Sequence, residues 1–112
     1  MLPLEELAED HGLDVEDVIE LFQDFVQYTE SENLAAMKQG LLAGDHDAVS
    51  RAAHSIKGAA MNLKLLEIAS LAKQIEEQSR AGDLMGIEGQ VNSLAEQVKD
   101  VAQLLHNRVD EK

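Results

Sequence analysis

Residues 49–63 read V-S-R-A-A-H-S-I-K-G-A-A-M-N-L. Val49, Ala52, Ala53, Ile56, Ala60 and Leu63 recur there at steps of three and four. At about 100° per residue these six share an arc of roughly 100°, the mark of a helix with one buried stripe. His54 lies about 140° from that stripe and Gly58 about 180°, so both face away from the core. A glycine inside a helix costs roughly 1 kcal/mol relative to alanine. The stretch is therefore a helix that accepts a destabilising residue beside an outward-facing histidine.

The same period runs outward in both directions. Pro3, the sole proline, suits the first turn of a helix over residues 3–11, with Gly12 as its stop. Asp14 is placed to cap a second helix, with the stripe Val15, Val18, Ile19, Phe22, Phe25, Val26 and Thr29. That stripe continues through Leu34, Met37 and Leu41, with a kink or break expected within T-E-S-E-N, residues 29–33. The triplet A-G-D occurs at 43–45 and again at 81–83. Each places Gly at a left-handed helix end and Asp at the next N-cap, so helices are predicted to start near Asp45 and Asp83. Gly40, Gly44 and Gly82 all read as helix punctuation.

Between the two triplets, Leu65, Ile68, Leu71, Ala72 and Ile75 make the inner face of a helix over residues 65–81. The last helix carries Leu84, Ile87, Val91, Leu94, Val98, Val101 and Leu105, with its first turns weakened by Gly86 and Gly89. Four long amphipathic helices with short connections predict an all-α fold, an antiparallel four-helix bundle with a short extra N-terminal helix. Residues 1–112 form one domain on this reading, with 1–13 the short helix and turn and 14–109 the bundle.

Composition narrows the function. The absence of cysteine excludes disulfides, thiolate metal sites and cysteine nucleophiles. No apolar run approaches the roughly 20 residues needed to cross a bilayer. The start M-L-P-L-E-E-L lacks the basic and apolar blocks of a signal peptide, so a cytoplasmic protein without membrane attachment is expected. A formal charge of −13 argues against nucleic acid, whose phosphates would be repelled. Residues 1–37 hold eleven acids and no Lys or Arg, an acidic face that keeps the protein in solution. Residues 38–64 reverse the balance, with Lys38, Arg51, Lys57 and Lys64 against Asp45 and Asp47. The locally basic stretch is the one that carries His54.

An exposed imidazole generally titrates near pH 6.5, so at pH 7 it is mostly neutral and a competent nucleophile. Lys57, three residues on, brings a cation within reach of any group attached to the ring. Gly58, four residues on, leaves open space for another protein's backbone. A hydrolase would also need a positioned base, an oxyanion site and a pocket, and none is adjacent in sequence. His46 and His54 are separated by about 12 Å of helix, too far to share one ion. No zinc spacing or phosphate-binding glycine loop is present, so no metal site is assigned. The chemistry that remains is carrying a group while a partner supplies the catalytic apparatus.

The motif H-S-I-K-G-A-A-x-x-L, His54 to Leu63, resembles the signature of histidine-containing phosphotransfer (HPt) domains of phosphorelays. The preceding A-A at 52–53 and L-A-K-Q-I-E at 71–76 also look like members of that family. The resemblance implies a carrier, not an enzyme, that takes a phosphoryl group from a receiver domain's phospho-aspartate and passes it to another receiver. It implies His54 as phosphoacceptor, Lys57 as the phosphate-stabilising cation and Gly58 as clearance for the receiver. Ser50, Arg51, Met61 and Lys64 become candidates for the receiver-docking surface. The partners implied are receiver domains of response regulators or hybrid sensor kinases. No cofactor is expected of the chain itself, Mg²⁺ being contributed by the receiver.

Family members usually place glycine directly after the motif's closing apolar residue, where this chain has Lys64. The turn is then expected to put Asn62 in the left-handed conformation or to extend the helix. A rival reading is a non-catalytic helical adaptor that merely retains a surface histidine. The bundle's own seams account for the apolar stripes, so a monomer is expected, with the helices over 15–41 and 84–105 as alternative dimer faces. Met1 and the polar C-terminal residues favour a self-standing protein over an excised kinase domain.

Overall fold

A computed structural model describes residues 2–110. The helices are α1 (Leu4–His11), α2 (Val15–Tyr28), α3 (Leu34–Ala43), α4 (His46–Asn62), α5 (Leu66–Arg80) and α6 (Ile87–Asp110). A π-helical turn, Thr29–Asn33, joins α2 to α3 without a break. The α2–α3 rod, α4, α5 and α6 close a ring in which each packs on the next, and α1 lies against α2. This is the predicted four-helix bundle with one added helix. The stripes read from the sequence meet at its centre, where Phe22, Met37, Ile56, Ile75, Ile87 and Leu94 are wholly buried. No helix among the described residues is long and apolar enough to cross a membrane.

Within T-E-S-E-N the chain widens rather than kinks. The amide of Leu34 donates to the carbonyl of Thr29, five residues back. Ideal α-geometry would set those two residues about 140° apart. The wider turn lets both be buried, so one rod keeps a continuous inner face across a shift in its pattern.

Gly12, Gly44 and Gly82 adopt the left-handed conformation expected of helix stops. Asp45 caps α4, its side chain accepting from the Ala48 amide at 3.1 Å. Asp14 occupies the N-cap position of α2 without a side-chain bond. Asp83 does not start the last helix. Its carboxylate accepts from the Met85 amide at 3.0 Å and holds a turn. A second left-handed glycine, Gly86, follows, and α6 begins at Ile87. Gly86 and Gly89, three residues apart, lower helix propensity at this point.

Gly40 is also not punctuation. It is buried inside α3, and a Cβ there would stand 2.9 Å from Val49 Cγ2 and 3.2 Å from the Asp45 carbonyl oxygen. Glycine at this point lets α3 approach the first turn of α4. Gly40→Ala is expected to lower stability by about 1–2 kcal/mol, overpacking outweighing the gain in helix propensity. A thermal melt at or above the native midpoint would show that the two helices can part at no cost.

The α4–α5 corner departs from the expected form. Asn62 stays helical, and Lys64 itself takes the left-handed conformation, with φ 57°. The Lys64 amide donates to Met61 and the Leu65 amide donates back to Ala60, closing the helix end. A residue with a Cβ pays about 1 kcal/mol or more for this backbone. The Lys64 ammonium meets Glu6 Oε1 and Asp10 Oδ2, each at 2.7 Å. The hydrogen bond from Lys64 holds the Asp10 carboxyl below its ordinary range, and Asp10 and Glu6 together raise the lysine. With Arg108 to Glu5 at 2.9 Å, this pair fastens α1 over the corner end of the bundle.

Candidate functional site

His54 sits midway along α4, and its side chain is 65% exposed. A Cβ on Gly58, one turn further, would meet nothing within 4 Å. The helical wheel's outward face is therefore real, and the space beside the imidazole is open. Met61, the next outward position toward the corner, is exposed. Arg51, one turn before His54, is also exposed and makes no ion pair among the described residues.

Ser50 does not share that exposure. It is only 8% exposed, which removes it from the candidate docking contacts. Ser50 and Lys57 lie on the same edge of α4, seven residues apart, and α5 packs along that edge. Lys57 escapes full burial because its long stem carries the ammonium past the contact. Lys64 stands at the corner with its charge committed to α1, so it brings no unpaired cation to the histidine's face.

The tertiary structure adds a group that the notion of an isolated surface histidine lacks. Glu76 of α5 is buried, its side chain 4% exposed, and three partners converge on it. His54 Nδ1 lies 2.8 Å from Glu76 Oε2, Lys57 Nζ 2.8 Å from Oε1, and Arg80 2.6 Å from Oε2. A buried carboxylate without partners would be costly, and here all of its partners are donors. Burial acts to raise the Glu76 pKa. The hydrogen bonds from Lys57 and His54, with the charge of Lys57, outweigh it and hold the group below its ordinary 4.5.

That ionised carboxylate sets the state of the imidazole. A carboxylate accepts only, so Nδ1 carries the proton and donates to Glu76. The lone pair is left on Nε2, which makes no hydrogen bond among the described residues. The result is an oriented nucleophile with a fixed tautomer, an anion behind it and two cations beside it.

Glu76 and Arg80 were absent from the sequence-derived site. A signal existed: Ile68, Ala69, Ala72, Ile75, Glu76 and Ser79 form one buried stripe. A charged residue in an apolar stripe demands a partner from another element. What α5 packs against, however, is not written in its local pattern.

The Hpt domain family model matches residues 17–107 of the chain, from the start of α2 through most of α6. No curated protein matches it in sequence. Among solved structures, it is similar to the crystal structure of histidine-containing phosphotransfer protein B from Pseudomonas aeruginosa PAO1. The identity is 26%, the TM-score 0.85, and the match covers 99% of this chain and 96% of that one.

Proposed function

This chain belongs to the Hpt domain family, and we propose on that premise that His54 is its phosphoacceptor. The chain's role is histidine phosphotransfer in phosphorelay signalling, as a carrier rather than a catalyst. The observation that carries the assignment to His54 is the Glu76 contact at 2.8 Å. It leaves one nitrogen of an exposed imidazole nucleophilic and outward.

In the step envisaged, the Nε2 lone pair attacks the phosphorus of a receiver's phospho-aspartate. The N–P bond forms as the P–O bond to the aspartate breaks, and the aspartate leaves as a carboxylate. The ring gains positive charge, which Glu76 stabilises through the Nδ1–H bond, as a buried acid does for imidazolium in hydrolytic triads. Lys57 and Arg80 are poised to exchange part of their contact with Glu76 for the arriving phosphoryl oxygens. The receiver supplies Mg²⁺ and the acidic pocket, in the cytoplasm. Gly58 provides clearance, and Arg51 and Met61 contribute docking contacts. Transfer to a second receiver is the reverse of the same step.

The test is incubation with a separately phosphorylated receiver domain. The chain is expected to acquire phosphate that is labile to acid and stable to base. Absence of transfer from a panel of receivers would return the chain to the helical-adaptor reading. Clearance has its own test. Gly58→Ala should stabilise the fold by up to about 1 kcal/mol, since its Cβ meets nothing and alanine favours helix. Gly58→Leu should slow transfer about tenfold or more, near 1.4 kcal/mol of barrier. Transfer by Gly58→Leu at the native rate would sink the clearance role.

A further inference from the structure

α3 reads L-A-A-M-K-Q-G-L-L-A, with Lys38 as its one charged residue and no acid. A helix apolar on nearly all sides is ordinarily a buried one. More than half of this helix nevertheless faces solvent: Ala35, Ala36, Lys38, Gln39, Leu42 and Ala43 are exposed. Leu42 is 90% exposed, and Met85, in the loop before α6, 85%. Between α3 and the start of α6 lies a groove of about 360 Å³ lined by Lys38, Leu41, Leu42, Leu84, Glu88 and Val91. In an otherwise strongly acidic chain, an acid-free apolar helix beside an apolar groove is a surface built for contact.

Its charges identify the occupant. Lys38 stands on the α3 side of the groove and Glu88 on the α6 side. Neither makes an ion pair among the described residues. A two-fold axis through the groove would bring Lys38 of one copy to the partner's Glu88 and the reverse. It would also set each copy's Leu42 and Met85 against the other's groove. A two-fold contact requires this self-complementarity, opposite charges on the two lips and a projection beside each hollow. We propose that the α3–α6 groove is a two-fold self-association surface, occupied by a second copy of this chain.

The surface lies across the bundle from the phosphotransfer site. In the ring of helices α3 packs on α4 and α6, and α5 on α4 and α6. His54 therefore occupies the α4–α5 seam, opposite the α3–α6 seam. A dimer of this kind leaves both imidazoles open to receivers, and it departs from the monomer expected of the sequence. The patch is small, so the association is weak.

Sedimentation equilibrium from about 10 µM to about 1 mM chain covers the affinity range of such a contact. Salt of about 0.3 M shortens the Debye length to a few ångström and suppresses repulsion between two chains of net charge −13. A reversible monomer–dimer equilibrium is expected. Leu42→Glu should weaken it at least tenfold. Lys38→Glu and Glu88→Lys should each do the same by setting like charges face to face, and the double exchange should restore the dimer. All three sites, Lys38, Leu42 and Glu88, are exposed, and circular dichroism verifies folding. Phosphoryl uptake at His54 should be unchanged in each variant. A wild-type chain that stays monomeric to about 1 mM overturns the proposal, as does a dimer indifferent to Leu42→Glu. Failure of the double exchange to restore association overturns the pairing, and growth beyond dimers overturns the two-fold arrangement.

Discussion

His54→Gln is expected to take no phosphoryl group from a phosphorylated receiver, with a fold that stays intact. The loss is complete because glutamine has no nucleophilic nitrogen to replace Nε2. It is clean because the side chain is 65% exposed and the buried Glu76 carboxylate keeps Lys57 and Arg80 as partners. His11, His46 and His106 remain in the variant as internal controls. Among the described residues His46 pairs with its neighbour Asp47, at 3.6 Å, and does not share the buried carboxylate. Residual base-stable label on His54→Gln would place the acceptor elsewhere. Unchanged uptake would refute the assignment outright.

The second large effect belongs to Glu76. Glu76→Ala removes the acceptor of the Nδ1–H bond, so the ring loses its tautomer and orientation. A fall of about 100-fold in the transfer rate constant is expected, the scale seen when a ligand-orienting partner is deleted. Glu76→Gln keeps an oxygen that can accept from Nδ1 but loses the charge that favours imidazolium, so its rate should lie between the two. Equal rates for Glu76→Ala and the native chain would remove Glu76 from the mechanism. Equal rates for Glu76→Gln and the native chain would leave it a hydrogen-bonding role and no electrostatic one.

The same pair of variants reports on stability. Deleting one member of a buried ion cluster can cost about 3–5 kcal/mol when the partner is stranded. Here Arg80 is largely exposed and Lys57 partly so, so both cations can reach water and the cost should fall below that range. Its pH dependence has a definite sign. Because the Glu76 pKa is depressed on folding, its contribution is present above pH 4.5 and is lost as pH falls through the folded value. The stability gap between native chain and Glu76→Gln should therefore narrow as pH falls below 4.5 and through the lower folded value. A gap that stays constant down to pH 2 would show that the ionised form is not the one stabilised.

Much of this molecule was legible residue by residue. The stripe of Val49, Ala52, Ala53, Ile56 and Ala60 is buried as the helical period demands. Gly12, Gly44 and Gly82 stop helices in the left-handed conformation. Each follows from forces acting over three or four residues. The misreadings have the opposite character. Gly40 was read as punctuation because its reason is Val49 of another helix. Ser50 was read as exposed because the edge it occupies is covered by α5. Lys64 was read as a candidate docking residue beside a turn made by Asn62 or by an extended helix, whereas Lys64 itself makes the turn. Glu6 and Asp10 lie 58 and 54 residues away in the chain, beyond any local window.

The candidate site divides along the same line. The sequence alone determined the helical bundle, the outward histidine, the lysine one turn on and the open glycine beside them, because all four depend on position around a single helix. Only the tertiary structure decided which imidazole nitrogen is free. That depends on Glu76, 22 residues along on another helix, which must be buried before its charge can fix a proton. Packing α5 on α4 turns a solvent-facing ring into an oriented nucleophile, and one helix by itself has no means of doing so.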